Sequence, residues 1–404
     1  MDKASLAIIP ADIPPTKSAT LPQISTEQPS ILPTAAYLHI PFCQTHCRYC
    51  DFAVTIGTED LIEKYVQYLL QEIAFTPTEL QGLETVYFGG GTPSLLSSNQ
   101  LERLIDALSK RFGISANAEI SLEANPGTFD RAKLQAYQRA GINRLSLGVQ
   151  AFQDHLLRLC GRSHGVAEVY ASVKIIQELG FDNFNLDLIF GLPEQSLADW
   201  EASLQAVLAI APTHVSLYDL IIEENTPFGR LYQTDRPPLP TDEETVEMYL
   251  KTIEVLGNAG YEHYEIANFA RPGYQCKHNR VYWKNQPYYG LGVGATGYVY
   301  KQRVERPRNL YEYFTWVETG QFTVTESVTS QEELTDTLLL GLRLTEGIML
   351  ESLDKRFGKS LVAQMLHVLQ PSIDSGYMQV IHEKMQLIVP QGFLFSNEVF
   401  ALLT

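Results

Sequence analysis

From Thr34 onward, short apolar runs alternate with amphipathic stretches. Six runs have strand length: Ala36–Ile40, Thr85–Phe88, Ala118–Leu122, Arg144–Val149, Phe184–Phe190 and His214–Leu220. Between them the apolar positions follow a helical period. Ile62, Tyr65, Val66, Leu69 and Ile73 share one helical face, as do Leu101, Leu104, Ile105 and Leu108, closed by Gly113. Val169, Val173 and Ile176 are closed by Gly180, and Ser196 with Asp199 three residues later is a capping-box start for the face of Trp200, Leu204 and Val207. Strand–helix alternation predicts an α/β fold with a parallel sheet, here a partial (β/α)6 barrel. In such barrels chemistry sits where the strands end.

Beyond Leu220 the pattern loosens. The stretch 262–287 is rich in aromatics, Asn and His and is expected to be a loop, followed by a Gly-rich turn at Gly290–Gly294. From about Gln331 two helix patterns precede the runs Tyr377–Ile381 and Met385–Val389, joined by His382-Glu383-Lys384, which predicts a C-terminal helical, winged-helix-like unit. The expected divisions are 1–34, 35–325 and 326–404. The first holds six of the 21 prolines, no apolar period and neither the basic start nor the apolar core of a signal peptide, and is expected to be a disordered leader.

Charge narrows the function. Thirty basic against 47 acidic residues leave −17 over 404 residues, a field that repels phosphate backbones and anionic lipid. No apolar run is long enough to span a bilayer. The C-terminal unit, 331–404, has five basic and nine acidic residues, so its winged-helix pattern does not point to DNA. The expectation is a cytoplasmic protein, monomeric or weakly dimeric, without nucleic-acid partners.

Three of the five cysteines lie within eight residues: Cys43, Cys47 and Cys50, spaced C-x3-C-x2-C just past the first strand run. Three thiolates on one loop can wrap a cubane iron–sulfur cluster and leave its fourth iron open to substrate. Zinc with His46 as fourth ligand is the alternative, although adjacent His46 and Cys47 strain a tetrahedral site. Cys160 and Cys276 stand alone and are expected in the core. The other strand ends supply Gly89-Gly90-Gly91-Thr92, Glu123, Gln150 with Arg162 close behind, and Asp187. Any one of these could cap a helix or lie on the surface. Five successive strands delivering such groups to one barrel end point to a shared ligand.

C-x3-C-x2-C is the hallmark of the radical S-adenosylmethionine (SAM) superfamily, and this chain resembles it. The likeness extends over residues 35–404 to the coproporphyrinogen III oxidase-like branch, through YLHIPFC at 37–43, GGGTPS at 89–94, LEANP at 122–126, RLSLGVQAF at 144–152 and DLIFGLP at 187–193. The resemblance implies a [4Fe–4S] cluster on Cys43, Cys47 and Cys50, and SAM chelated to its open iron. It also implies Tyr37 in contact with SAM, Tyr49 against it, and Gly90, Gly91 and Thr92 at the methionine end. Glu123 and Arg162 would take the charged groups of SAM, and Gln150, Asp187 and Ile221 its ribose and adenine.

Two subgroups of the branch differ in readable positions. The oxygen-independent coproporphyrinogen oxidases continue the motif with a fourth cysteine, where this chain has Phe52. The HemW-type haem chaperones lack it and carry H-N-x-x-Y-W, present here as His278-Asn279-Arg280-Val281-Tyr282-Trp283. Imidazole is a common axial haem ligand, and Tyr and Trp offer flat faces to a macrocycle. The resemblance therefore implies haem as a cofactor and cargo, His278, Tyr282 and Trp283 as its contacts, and apo-haemoproteins as recipients. Packing residues in a loop are the plain alternative for these three. An inert barrel whose cluster only holds structure is the third reading.

Overall fold

The computed structural model describes residues 32–78, 81–234, 236–320 and 328–404. The expected leader therefore lies outside the described residues up to residue 31, as does the expected boundary at 325/326. Six βα units come first: β1 (Ala35–Ile40), α1 (Glu59–Phe75), β2 (Leu83–Gly90), α2 (Ser98–Phe112), β3 (Ile114–Ala124), α3 (Arg131–Ala140), β4 (Arg144–Gln150), α4 (Asp154–Leu159), α5 (Val166–Glu178), β5 (Phe184–Phe190), α6 (Leu197–Ile210) and β6 (His214–Asp219). Strands β1 to β6 pair in sequence order, all parallel, as right-handed βα alternation requires.

The sheet divides its side chains by parity. Leu38, Ile40, Val86, Phe88, Ile120, Leu122, Leu145, Leu147, Leu186, Leu188, Val215 and Leu217 are buried in one apolar core with the helix faces that the spacing predicted. The alternate positions are polar and line the barrel interior: Glu123, Arg144, Ser146, Gln150, Asn185, Asp187 and Ser216. The Ser196–Asp199 capping box forms as expected, with Asp199 N on Ser196 Oγ at 3.1 Å and Ser196 N on Asp199 Oδ2 at 3.0 Å.

The stretch after Leu220 is more regular than its composition suggests. It forms α7 (Pro227–Leu231), α8 (Asp242–Asn258), β7 (Glu262–Glu265), β8 (Asn268–Ala270), α9 (Lys277–Trp283), β9 (Tyr289–Leu291) and, further on, α10 (Leu310–Thr319). The expected loop at 262–287 thus contains two strands and a helix. β8 pairs antiparallel with β6, and β7 with β8, while β9 pairs parallel with β1. The expected Gly-rich turn begins inside β9. Gly290 has to lack a side chain, because a Cβ there would meet the Thr296 carbonyl oxygen at 2.2 Å. The nine strands run β7-β8-β6-β5-β4-β3-β2-β1-β9, and among the described residues the two edges do not pair, so the barrel is partial.

The C-terminal unit has helices Ser330–Gly341, Leu350–Phe357 and Lys359–Val368 and a hairpin of Met378–Ile381 with Lys384–Leu387. Ile348–Met349 adds a third strand, giving the expected winged-helix-like arrangement. The hairpin loop is one residue shorter than the sequence suggests: only His382 and Glu383 lie outside the strands, both at positive φ, the two-residue turn that matches strand twist.

Candidate functional site

The strand ends of the partial barrel open onto a cavity of about 560 Å³. Cys43, Cys47 and Cys50 line it together with Tyr49, Gly90, Gly91, Glu123, Gln150, Arg162, Asp187 and Ile221. Two expected SAM residues are not part of its wall. Tyr37 lines a neighbouring cavity of about 340 Å³ with His39, Tyr282, Tyr288 and Arg308. Thr92 is buried behind the cysteine loop, where it receives Asn125 Nδ2 at 2.9 Å and donates to Cys43 Sγ at 3.6 Å.

The cysteine loop and the glycine turn are fitted to each other. A Cβ on Gly91 would meet the Phe42 carbonyl oxygen at 2.6 Å and Cys43 Sγ at 3.0 Å, so only glycine lets β2 pass beneath the thiols. Arg162 Nη1 points at Cys47 Sγ, 3.4 Å away. Burial pushes the Cys50 thiol up to about 11 in the iron-free protein, so loading iron must displace a proton. Among the described residues no group of three or more His, Cys, Asp and Glu is gathered for a single metal ion. His46, the fourth ligand of the zinc alternative, is exposed to solvent. The donors aimed at two sulfurs and the space left by Gly91 fit a cluster spread over three thiolates.

Glu123 accepts Tyr87 Oη at 2.9 Å and Gly90 N at 3.0 Å. Burial, and secondly the nearby Asp187, push its carboxyl up to about 7. Asp187 accepts Ser146 Oγ at 2.9 Å and Asn185 Nδ2 at 2.8 Å, and its own carboxyl is raised by burial. Arg162 differs from expectation. Its Nη2 donates to Asn125 Oδ1 at 2.6 Å and to the Gly148 carbonyl at 2.8 Å, while Nη1 faces Cys47 and Tyr49. Both terminal nitrogens are committed to the protein, so Arg162 braces the cysteine loop against β3 and β4 and does not present a free fork.

The H-N-x-x-Y-W segment forms α9 and plugs the barrel. Glu119 on β3 accepts the backbone N–H groups of Lys277 and His278 at the helix start, at 3.2 and 3.1 Å. His278 is fully buried, with Nδ1 on Thr85 Oγ1 at 2.8 Å and Nε2 on Tyr282 Oη at 2.7 Å. Burial, and secondly the Arg144 charge, lower its pKa to about 3, so the imidazole is neutral. The structure does not present His278 as a free ligand: both nitrogens are engaged by residues that close around it. Trp283 does not join it; it packs with Tyr264, Ala270 and Leu344 and stacks under the Arg343 guanidinium at 4.8 Å. His164, a few residues from Arg162, is buried with Nε2 on the Val149 carbonyl at 3.2 Å. Cys160 and Cys276 are buried, as expected of core thiols.

Asn125, Arg144, Ser146, Asn185, Ser216 and Asn279 line the cavity and were not anticipated individually. The four on strands occupy the polar alternate positions inside apolar runs, and that period of two was the available signal.

Comparison with known proteins follows the same lines. The Radical SAM superfamily signature matches residues 37–207, and the HemN C-terminal domain matches 328–388. Heme chaperone HemW of Synechocystis is 42% identical over 399 residues, covering 92% of this chain and 97% of that protein. Heme chaperone HemW of Bacillus subtilis is 38% identical over 373 residues, 91% of this chain and 98% of that one. Among solved structures, coproporphyrinogen III oxidase (HemN) from Escherichia coli superposes with a TM-score of 0.80 at 24% identity, covering 92% of this chain and 90% of that chain. That likeness concerns the fold.

Proposed function

Because the chain belongs to the HemW family of radical SAM proteins, we propose that it is a haem chaperone: it binds a [4Fe–4S] cluster, SAM and haem, and delivers haem to apo-haemoproteins in the cytoplasm. The observation that carries this reading over the oxidase one is Phe52. It stands where the oxidases continue their motif with a cysteine, its ring is 67% exposed, and it borders both cavities at the barrel mouth. An exposed ring beside the cluster loop suits a flat apolar cargo and cannot bind iron. Among the described residues no helix is long and apolar enough to cross a membrane.

Cys43, Cys47 and Cys50 would hold the cluster in this reading, and a bound cluster would supply the reducing electron for SAM. The chain's own residues do the rest. Arg162 and Thr92 donate towards the sulfurs and stabilise the thiolate charge. The Glu123 carboxylate would meet the SAM ammonium, Asp187 the ribose hydroxyls, and Ile221, 69% exposed at the rim, the adenine. Haem ligation by His278 requires α9 to withdraw from Thr85 and Tyr282. The exposed His46, on the cluster loop itself, is the second choice and needs no such movement.

Anaerobic reconstitution followed by haem titration and a coproporphyrinogen decarboxylation assay tests the proposal. The expected result is haem binding and transfer to an apo-haemoprotein without decarboxylation. Stoichiometric decarboxylation with SAM and a reductant would move the chain to the oxidase class.

A further inference from the structure

Arg144 opens β4, at the floor of the cavity and at the opposite end of the strand from Gln150. It is among the largest buried side chains, 2% exposed, and it lines the cavity. Its Nε has no hydrogen-bond partner. Arg306, also buried, rests on Glu72 at 2.8 Å, whereas no carboxylate among the described residues lies within ion-pair distance of Arg144. Its acidic neighbours are committed elsewhere: Glu119 to the start of α9, Glu123 to Tyr87 and Gly90, Asp187 to Ser146 and Asn185. A guanidinium on a cavity wall with no carboxylate in direct ion-pair contact is open to an anion that a ligand supplies.

Two further groups point the same way. Ser121, the register partner of Arg144 on β3, has a buried hydroxyl with no partner. Asn279 is the residue of the H-N-x-x-Y-W segment that reaches this cavity. A planar five-donor cation, with a hydroxyl at its register position on the next strand and an amide on the same cavity wall, matches a carboxylate. SAM does not account for it, because chelation to the cluster keeps its carboxylate at the cysteine end, while Arg144 lies at the other end of β4.

We infer that Arg144, with Ser121 and Asn279, forms a carboxylate-binding subsite at the barrel floor that anchors the ligand sharing the cavity with SAM. This rests on the chaperone reading for its main source of carboxylate, the propionate arm of haem. A small free carboxylate is the other source.

The test compares haem with haem dimethyl ester, whose propionates are blocked, and separately titrates sodium propionate, using cluster-loaded wild type, Arg144→Gln and Arg144→Lys. The subsite predicts at least tenfold weaker haem binding by Arg144→Gln, partial rescue by Arg144→Lys, and little difference between variants for the ester. SAM affinity should change less than twofold. If wild type fails to bind haem, yet propionate raises its melting temperature and not that of Arg144→Gln, the chaperone reading falls and the subsite stands. If Arg144→Gln folds and loads its cluster, yet binds haem and propionate as wild type does, the subsite is overturned and Arg144 is a structural charge. Should Arg144→Gln not fold, wild type decides: equal affinity for haem and its ester, with no response to propionate, overturns the subsite, and a tenfold loss on esterification supports it.

Discussion

The imidazole of His278 lies stacked on the ring of Tyr87, centroids 5.2 Å apart and planes 25° from parallel, and Tyr87 in turn donates its hydroxyl to Glu123 at 2.9 Å. The histidine of the H-N-x-x-Y-W segment therefore supports, through one tyrosine, the carboxylate proposed to meet the SAM ammonium. Replacing His278 by Ala leaves the Thr85 and Tyr282 hydroxyls without their buried partner and should cost about 1–3 kcal/mol for each group left unpaired. A lowered denaturation midpoint with weaker SAM binding is the expected outcome. Unchanged stability together with lost haem binding would instead make His278 a ligand that reaches haem from an open state.

The cluster assignment predicts a simple pattern. Cys43→Ala, Cys47→Ala and Cys50→Ala should each abolish the visible absorbance of anaerobically reconstituted protein. Cys160→Ala and Cys276→Ala should keep it, since both thiols are buried in the core. Survival of the absorbance in any of the first three would disprove the assignment.

SAM affinity should rise with pH through the titration of Glu123. The group is mostly protonated below about 7, and its anionic form is the one that pairs with an ammonium. The stability of the SAM-free protein should move oppositely. The folded state holds this proton to about 7 and the unfolded chain only to about 4.5, so between those values the native state binds more protons and loses stability as pH rises. The full change is on the order of 3 kcal/mol. Glu123→Gln should flatten both profiles and weaken SAM at least tenfold, about 1.5–3 kcal/mol for a charge-assisted hydrogen bond. Calorimetric titration and denaturant melts across this range decide it.

Glu72 on α1 carries a different load. It is fully buried, pairs with Arg306 Nε at 2.8 Å and accepts Gly292 N at 2.8 Å and Tyr313 Oη at 2.7 Å. It thereby ties the segment after β9, and α10, to the first helix of the barrel. Glu72→Ala should destabilise by about 3–5 kcal/mol, because it strands a buried guanidinium. Urea unfolding would measure the loss, and cluster assembly in the folded fraction should be retained.

The six parallel strands were legible because each is an apolar run bounded by a helix face and a glycine. The cysteine spacing was legible because three ligands on one loop need no tertiary information. β7, β8 and β9 were missed because strands of three or four residues carry no period of their own and exist by pairing with β6 and β1. The commitments of His278 and Arg162 were invisible for another reason: Thr85 lies 193 residues from His278, and Cys47 lies 115 from Arg162. The polar alternation within the strands was present in the sequence, as in Arg144, Ser146, Gly148 and Gln150, but a reading weighted to apolar runs passes over it.

That alternation has a thermodynamic consequence. The barrel sends its aliphatic side chains outward to the helices and keeps serine, asparagine, carboxylate and guanidinium groups for its lumen. A polar lumen of this size is wet when no ligand fills it. Occupying it trades ordered solvent for hydrogen bonds, and it also covers the apolar part of the wall that Phe52, Val54, Ile189 and Ile221 provide. Ligand entry should then release heat through the polar groups, with a negative heat-capacity change from the apolar wall, and its affinity should weaken on warming.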